Sequence, residues 1–444
     1  MIDSSTGARR RASRHLALVL LGLSLTPPAA AQVPEGSATA VADVAALRAE
    51  LERVRADHAR RLAELAAETD RRIAAIEARI AGSAAAAPAA IAKPPVSAGT
   101  GVAAQRLQFG GDVRLRYEDN SGADGLRGRS RGAIRARLRA SWAATDWLKV
   151  GAELATGDPD DPNSSDVTLS EFNDDLQVSL DQAYVQATLG TLVVTGGKFA
   201  NPFLRTDLVW DADVHPEGIA FAWRPALGAS RPLRIAALYS PVDERASGPD
   251  STLAGAQLRL EAPLGGTRRG ELAIGWYDYD LDSLAGGDAG DFRSNRLASD
   301  GRHYASDFRL LDAMATASFG AVDSRWPLRL TADYVRNLGA AGGDDSGWSV
   351  DVTLGDSARA HGWRIGYGFA ASERDAVFAA FSHDNLDLAT NYLQHSLVLD
   401  YAPAPNLLLN ATLYHYRPWR AADLLPGDSM SWRNRLRLHF AVLF

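Results

Sequence analysis

The stretch Ile134-Arg-Ala-Arg-Leu-Arg-Ala-Ser-Trp142 gives the clearest indication of the fold, because apolar and polar side chains alternate along it. Successive side chains of a β-strand point to opposite faces, so one face carries three arginines and the other carries Ile134, Leu138 and Trp142. A soluble sheet would turn its polar face to bulk water and use shorter strands. Stacked arginines opposite an apolar face with aromatic ends predict a transmembrane barrel with an aqueous lumen.

Segments of this kind recur about every twenty residues from Arg106 onward. They predict sixteen antiparallel strands, joined by seven short links and eight longer, more acidic loops. An even number of strands puts both chain ends on the side of the short links, which is the periplasmic side. The apolar segment 376–381 is assigned to a loop, because another strand would make the number odd. Fourteen or eighteen strands also fit the pattern.

Composition narrows the class of protein further. The chain has 444 residues, of which 46% are hydrophobic, and a net charge of −7. It is too apolar for a disordered polymer and too poor in positive charge for a dedicated nucleic-acid binder. The absence of cysteine excludes disulfides, cysteine-ligated zinc and thiol catalysis. The longest apolar run, residues 16–25, is about half the length that a membrane-spanning helix needs.

Four segments are predicted along the chain. Residues 1–31 resemble a signal peptide, with four arginines, an apolar run and the small triplet Ala29-Ala30-Ala31 before Gln32. Residues 38–81 are rich in Ala, Arg and Glu without Pro or Gly, and predict a helix. Residues 82–105, with three prolines and several glycines, predict a linker. Residues 106–444 form the predicted outer-membrane barrel.

The predicted helix carries a narrow apolar seam on an otherwise charged surface. Such a seam favours association with identical helices, so a short parallel coiled coil in the periplasm is predicted. A single amphipathic helix lying on a membrane is the alternative, and the acidic residues interspersed with arginine argue against it. The seam repeats with spacings of three and four, which tend toward an eleven-residue period, at Leu47, Leu51, Val54, His58, Leu62, Leu65, Thr69, Ile73, Ile76 and Ile80.

The C-terminal segment supports placement in the outer membrane. Leu436, Leu438, Phe440, Val442 and Phe444 alternate with polar residues up to the last position. Outer-membrane barrels end in this way, and we interpret Phe440, Val442 and Phe444 as a signal for the barrel-assembly machinery. An ordinary edge strand that happens to end in phenylalanine is the alternative.

Closure of the barrel would bring the first two strands and the last strand together, since the last strand pairs with the first. Their inward faces would then form one basic surface, on which Asp112 and Glu118 are the acidic neighbours. Clustered like charge selects ions by sign, although a generic hydrated lining explains the same residues. We name this surface the arginine wall, formed by Arg114, Arg116, Arg135, Arg137, Arg139, Arg435 and Arg437.

The third long loop has the densest motif of the chain. It reads Gly197-Lys198-Phe199-Ala-Asn201-Pro202-Phe203, and then Asp207-Leu-Val-Trp210-Asp211-Ala-Asp213-Val-His215-Pro216-Glu217-Gly218. This pattern resembles the putative porin family of Gram-negative outer membranes, whose members carry GK..NPF followed by D..WD.D..PEG. The resemblance covers residues 106–444, and the family's frequent N-terminal coiled coil would correspond to residues 38–81.

The resemblance implies that the third loop folds into the barrel and narrows it, as in trimeric porins. Asp207, Asp211, Asp213 and Glu217 would then face the arginine wall across a constriction. A loop packed against the barrel wall with Trp210 as its anchor is the alternative. A calcium site at Asp211, Asp213 and Glu217 is disfavoured, because the twelve-residue spacing of a calcium-binding loop is absent.

These features predict a porin that passes small hydrophilic solutes by diffusion, with an anion preference through the arginine wall. The alternatives are a specific anion channel, an anionic-polysaccharide export channel, or a non-conducting tether to the cell wall. An enzyme is disfavoured, because no G-x-S-x-G or H-E-x-x-H motif occurs and His395 and Ser396 point to opposite faces of a strand. No cofactor or metal is predicted. The expected partners are outer-membrane lipids, the barrel-assembly machinery, solutes or ions and two further copies in a homotrimer, with no nucleic acid.

Overall fold

The computed structural model describes residues 106–121, 128–169, 175–225, 232–282, 294–320, 325–424 and 429–444, together with Glu52, Arg53, Ala56 and Arg60. These four separate residues are helical. No helix in the described parts of the chain is long and apolar enough to cross a membrane. The predicted signal peptide, the linker and nearly all of the predicted coiled coil lie outside the described residues, so they remain predictions.

A single antiparallel sheet closes into a barrel, which confirms the predicted fold class. In the described part of the chain, sixteen strands of seven to fifteen residues form the wall, and one strand of two residues lies inside a loop. The strands are β1 Leu107–Ser121, β2 Arg129–Ala143, β3 Leu148–Thr156, β4 Val167–Thr168, β5 Val178–Leu189, β6 Leu192–Lys198, β7 Glu217–Trp223, β8 Leu233–Asp243, β9 Ser251–Gly265, β10 Arg268–Asp280, β11 Phe308–Phe319, β12 Leu328–Asn337, β13 Ser346–Gly355, β14 Gly362–Ser372, β15 Tyr392–Ala404, β16 Leu407–Pro418 and β17 Arg433–Leu443.

The closing pair joins β1 to β17, while β1 pairs with β2 on its other side. Leu115 faces Phe440 across the first pair and Ile134 across the second. Closure removes the free edges, whose unpaired backbone groups would be costly in a bilayer. Links at one end of the barrel are short and loops at the other end are long, as the sequence predicted. Residues 376–381 lie in one of these loops, where Ala379–Phe381 form a single 3-10 turn.

The two faces of the wall differ in the way that the alternation predicts. On β10, Leu272, Ile274 and Trp276 point outward and are each at least 41% exposed. Ala273 and Tyr277 point inward and are buried. Aliphatic side chains at this exposure suit contact with lipid hydrocarbon, while the inward side chains face the lumen and the loops that enter it.

Two long loops fold into the barrel and pack on its inner face. The third loop, residues 199–216, follows β6, and the seventh loop, residues 373–391, follows β14. Trp210 of the third loop is fully buried and meets Tyr277 of β10 edge-on, with 5.5 Å between ring centroids. Phe381 of the seventh loop stacks on the other side of Trp210 at 5.7 Å. The backbone N–H of Asp211 donates to the carbonyl of Phe381, so the two loops form one body.

The base of the third loop depends on a glycine pair. Gly197 ends β6 opposite Gly218 of β7, and both have a backbone φ near +117°, at +116° and +118°. Only glycine adopts this conformation without strain. A Cβ at Gly197 would also lie 2.2 Å from the carbonyl oxygen of Ala183 on β5. The chain therefore turns into the lumen at a point where no side chain fits.

We predict that Gly197→Ala impairs folding of the barrel, because the added methyl group overlaps backbone that cannot move without breaking the β5–β6 ladder. The expected loss is about 1–3 kcal/mol from backbone strain, with the overlap in addition. It is measured as the yield of the heat-modifiable folded form on a denaturing gel. Gly196→Ala is the matched control, since the nearest atom to its Cβ is 3.8 Å away. Equal yields for the two variants would contradict this account.

Candidate functional site

Barrel closure assembles the arginine wall from residues more than 300 positions apart. In the β1–β2 register Arg114 lies opposite Arg135, and in the β1–β17 register Glu118 lies opposite Arg437. Strand alternation keeps all of these side chains on the inward face. The seven predicted arginines therefore occupy one continuous surface of the lumen.

Carboxylates on the wall itself bind these arginines directly. Asp112 accepts a hydrogen bond from Nη2 of Arg135 at 2.9 Å and another from Nε of Arg137 at 2.8 Å. Glu118 accepts one from Nε of Arg437 at 2.7 Å. Asp112 and Glu118 are both buried. Charge-assisted bonds of this length are among the stronger polar contacts in proteins.

Further carboxylates come from neighbouring elements. Glu153 on β3 accepts a bond from Nε of Arg139 at 2.7 Å. Asp166, in the loop that precedes β4, lies 2.5 Å from Arg114 and 2.6 Å from Arg116. The alternation of β3 would have placed Glu153 inward beside β2. No pattern in the sequence marked Asp166, because a loop has no periodicity from which to infer its position.

The third and seventh loops supply further partners of the wall. Asp213 lies 3.2 Å from Arg137 and 3.7 Å from Arg135. The side chain of Asn385 accepts a bond from Arg437 at 2.9 Å and donates one to Asp207 at 2.8 Å. The seventh loop therefore connects the wall to the third loop, a role that no pattern in the sequence indicates.

The arginine wall is therefore a paired surface and not a stack of open charge. The sequence identified Asp112 and Glu118 as its acidic neighbours, and the structure adds Glu153, Asp166 and Asp213. The side chains of Arg116 and Arg437 are only 3% and 4% exposed, whereas that of Arg139 is 46% exposed. Buried guanidiniums need such partners, because an isolated charge away from water is very costly.

The predicted residues of the third loop lie in different surroundings. Trp210 anchors the loop, as one of the two interpretations expected, and Asp213 reaches the arginine wall, as the other expected. Asp207 is exposed to the lumen. Asp211 is buried, and burial together with the nearby carboxylates of Asp384 and Asp207 raises its pKa to about 8.

Glu217 is paired away from the arginine wall. Nζ of Lys198 donates to Glu217 at 2.8 Å across the β6–β7 pair, at the end of the third loop. Within the described residues, no group of three or more acidic or histidine side chains is arranged to hold a metal ion. Asp213 contacts Arg137, Glu217 binds Lys198, and Oδ1 of Asp211 accepts a hydrogen bond from the backbone N–H of Asp213 at 2.7 Å.

A cavity of about 530 Å³, the entrance cavity, lies at the long-loop end of the barrel. Its lining is strongly acidic, and its two basic members are each paired with a carboxylate. Lys198 binds Glu217, and Nδ1 of His215 lies 3.0 Å from Asp181. The acidic lining residues are Asp158, Asp160, Asp161, Asp181, Asp213, Glu217, Asp243 and Glu244.

A second space of about 350 Å³, the lumen cavity, lies between the third loop and the inward faces of β11–β16. Hydroxyl and amide side chains form the largest group in its lining, beside apolar residues and charged groups of both signs. Arg364 is held by Asp400 at 2.5 Å. Arg329 is exposed and has no carboxylate partner among the described residues. Both arginines lie in predicted strands, so the alternation would have placed them inward.

The predicted assembly signal lies beside the closing strand pair. Phe440 is outward-facing, 41% exposed and opposite Leu115 of β1, while Val442 lies opposite Val113. The backbone of Phe444 exchanges hydrogen bonds with that of Gly111. These contacts complete the β1–β17 ladder, and the recognition role of the three residues stays a prediction.

We predict that Asp166→Asn destabilises the barrel, because the change leaves the guanidiniums of Arg114 and Arg116 without their shared carboxylate. Breaking a buried pair costs about 3–5 kcal/mol. The measurement is the free energy of unfolding in urea, with the protein inserted in lipid vesicles. Asp146→Asn is the control, because the Asp146 side chain is fully exposed and lies 3.7 Å from Arg106. A loss in Asp166→Asn no larger than in this control would refute the pairing.

We predict that rising pH weakens the fold through Asp211. An unfolded aspartate ionises at about pH 3.9, whereas Asp211 in the folded chain has a pKa of about 8. Between these values unfolding releases a proton, so this contribution is complete below about pH 4 and is lost as pH rises toward 8. Asp211→Asn should flatten the pH dependence by up to about 1.4 kcal/mol per pH unit. Parallel urea-unfolding curves for the two proteins from pH 5 to 9 would contradict this.

Part of the chain is similar to a known protein family. The family model of the putative porins matches residues 122–283, which include the third loop and the strands around it. This match confirms the family resemblance over that part of the chain. No curated protein matches the sequence.

The solved structure of one porin shows a fold similar to that of the barrel. OprB of Pseudomonas putida aligns with 77% of this chain and 95% of its own, with 13% identity and a TM-score of 0.52. A Vibrio cholerae outer-membrane protein, OmpT without its loop L8, aligns with 76% of this chain and 99% of its own, with 11% identity and a TM-score of 0.46. At these identities the likeness concerns the fold. The chain therefore has an antiparallel β-barrel fold similar to that of OprB, and it matches the putative porin family over residues 122–283.

Proposed function

We propose that this barrel is an outer-membrane porin that lets small hydrophilic solutes cross by passive diffusion. The observation that carries the proposal is the lumen cavity, a polar space inside a closed barrel whose outer face is apolar. A lumen lined with hydroxyl, amide and charged side chains holds water and admits hydrated solutes. The proposed function needs neither a cofactor nor an energy source.

The diffusion path proposed here runs from the entrance cavity past the third loop into the lumen cavity. The third loop borders both spaces, with Asp213 and His215 on the first and Leu204 and Asp207 on the second. The arginine wall offers less room for a path, because Arg116 and Arg437 are buried under the loops. Solutes would therefore pass on the β11–β16 side of the third loop.

The proposed ion preference is weakly anionic, and we attribute it mainly to Arg329. Six arginines of the wall are paired with carboxylates. The seventh, Arg435, is buried and donates to Asn120 and to the carbonyl of Asn385, whereas Arg329 is exposed to the lumen cavity without a carboxylate partner among the described residues. An unpaired charge in a narrow aqueous space attracts counter-ions more strongly than a paired one. The acidic entrance cavity opposes anions, which keeps the net preference small.

The proposed assembly is a trimer, with residues 38–81 as a periplasmic coiled coil. The apolar seam in the sequence supports this arrangement, because a narrow seam is stabilised by contact with identical helices. The proposed partners of the barrel itself are outer-membrane lipids and the barrel-assembly machinery.

We predict that the refolded barrel conducts in a planar bilayer, with a reversal potential across a KCl gradient that indicates a small anion preference. Arg329→Gln should shift this potential toward cation preference, because it removes an open charge from the lumen cavity. Arg135→Gln is the control, since its side chain is 11% exposed and bound to Asp112.

A larger shift in Arg135→Gln than in Arg329→Gln would return the selectivity to the arginine wall. Absence of conductance in the folded protein would reject the diffusion porin and favour a non-conducting tether.

A further inference from the structure

A row of outward side chains crosses β14–β17 at a single level. Phe369 lies opposite His395, His395 opposite His415, and His415 opposite Asn434 in the three strand registers. These residues are on the outer face, since their chain neighbours Ser396 and Tyr416 are buried on the inner face. Two histidines therefore face outward on the outer face of the wall.

The row marks the upper boundary of the apolar band. One step toward the short links, Tyr367, Leu397, Leu413 and Leu436 form the next outward row. Leu397 and Leu413 are 53% and 38% exposed, which suits contact with lipid hydrocarbon. The histidine row thus lies where hydrocarbon gives way to lipid head groups, at the long-loop side of the membrane.

Aromatic stacking fixes the geometry of this level. The ring of His415 stacks on Trp432 with 4.3 Å between centroids and 5° between planes. The guanidinium of Arg417 lies 5.2 Å from the centre of the same indole. We name Phe369, His395, His415, Arg417 and Trp432 the rim patch. Cation–π contact holds Arg417 in place without neutralising its charge.

Polar contacts inside the rim patch leave the outer ring nitrogens of its histidines available. Nδ1 of His395 lies 2.9 Å from the hydroxyl of Tyr367, and Nδ1 of His415 lies 2.8 Å from Oδ1 of Asn434. In the described part of the chain neither Nε2 atom has a hydrogen-bond partner. The two Nδ1 contacts orient both rings, so that the Nε2 atoms can serve a group outside the barrel.

Charge distinguishes Arg417 from other arginines at the same end of the outer face. Arg336 is bound to Asp345 at 3.1 Å, and Arg309 lies 3.5 Å from Asp307. Arg417 has no carboxylate partner among the described residues, and one of its Nη atoms donates to the carbonyl of Pro418 at 3.1 Å. The rim patch is thus a site of uncompensated positive charge at the level of the lipid head groups.

We propose that the rim patch binds the phosphate of a lipid head group in the membrane leaflet on the long-loop side. Arg417 supplies the charge and its remaining N–H donors, the two imidazoles supply further polar atoms, and Trp432 and Phe369 contact the apolar part of the lipid near its head group. A phosphate fits because it is a compact anion that accepts several hydrogen bonds at once. This inference concerns the outer face and does not depend on passage of solutes through the lumen.

The test is lipid binding to the full chain refolded in a neutral detergent, measured by native mass spectrometry at increasing lipid concentration. The probes are bis-phosphorylated lipid A and the same lipid without phosphates. Arg417→Gln should bind the phosphorylated probe about tenfold more weakly, as expected for loss of one charge-assisted contact. Binding of the dephosphorylated probe should not change.

His361→Asn is the matched control, because His361 lies at the short-link end beside the stacked pair Trp363 and Tyr401. Its positive φ of 58° is tolerated by asparagine, so the substitution adds little strain. This variant should bind both probes like the unmodified chain. The double variant His395→Gln, His415→Gln should lose affinity for the phosphorylated probe only.

Three results would overturn the proposal. One is equal affinity of the unmodified chain for the two forms of lipid A. Another is an Arg417→Gln variant that remains folded, as shown by heat-modifiable gel mobility, and binds the phosphorylated probe normally. The third is displacement of the lipid by millimolar inorganic phosphate, which would show a free-phosphate site instead of a lipid site.

Discussion

Burial of arginine inside the barrel is the constraint on which the rest of this structure depends. Closing the sheet between β1 and β17 puts the inward arginines of three strands side by side. Guanidiniums cannot lose their protons near neutral pH, so those that lose contact with water need carboxylates. The chain supplies them from β1, from β3, from the loop before β4 and from the third loop, and the seventh loop adds the amide of Asn385. The position of the third and seventh loops is thus tied to the charge of the wall.

This arrangement differs from a constriction in which acidic and basic residues face each other across open water. Asp213 does face the arginine wall, but at 3.2 Å from Arg137 it is in direct contact with it. Trp210 of the same third loop packs between Tyr277 and Phe381, and this packing also holds the loop inside the barrel. The space left open lies beyond the loop, where Arg329 and Asp207 border the lumen cavity. The same loop therefore closes one side of the lumen and borders the other.

The sequence was informative wherever a period could be read from it. Alternation located all sixteen long strands and the inward arginines, because a strand's faces follow from counting by two. Alternation along β3 and β12 also places Glu153 and Arg329 on the inward face. Alternation could not locate Asp166 and Asn385, because both lie in loops, whose positions depend on tertiary contacts with residues 50 or more positions away. The family resemblance predicts that Asp213 and Glu217 both face the arginine wall. Asp213 does contact the wall, whereas Glu217 binds Lys198 instead.

The most direct test of the account is the accessibility of single cysteines in a chain that has none of its own. Thr353→Cys lies in the lumen cavity, and Ala133→Cys lies on the inward face of β2, fully covered and opposite Arg116. A water-soluble, charged thiol reagent added during single-channel recording should rapidly lower the conductance of Thr353→Cys and leave Ala133→Cys unchanged. Rapid block at Ala133→Cys with no effect at Thr353→Cys would show that the water path follows the arginine wall, which would contradict the docked arrangement of the loops.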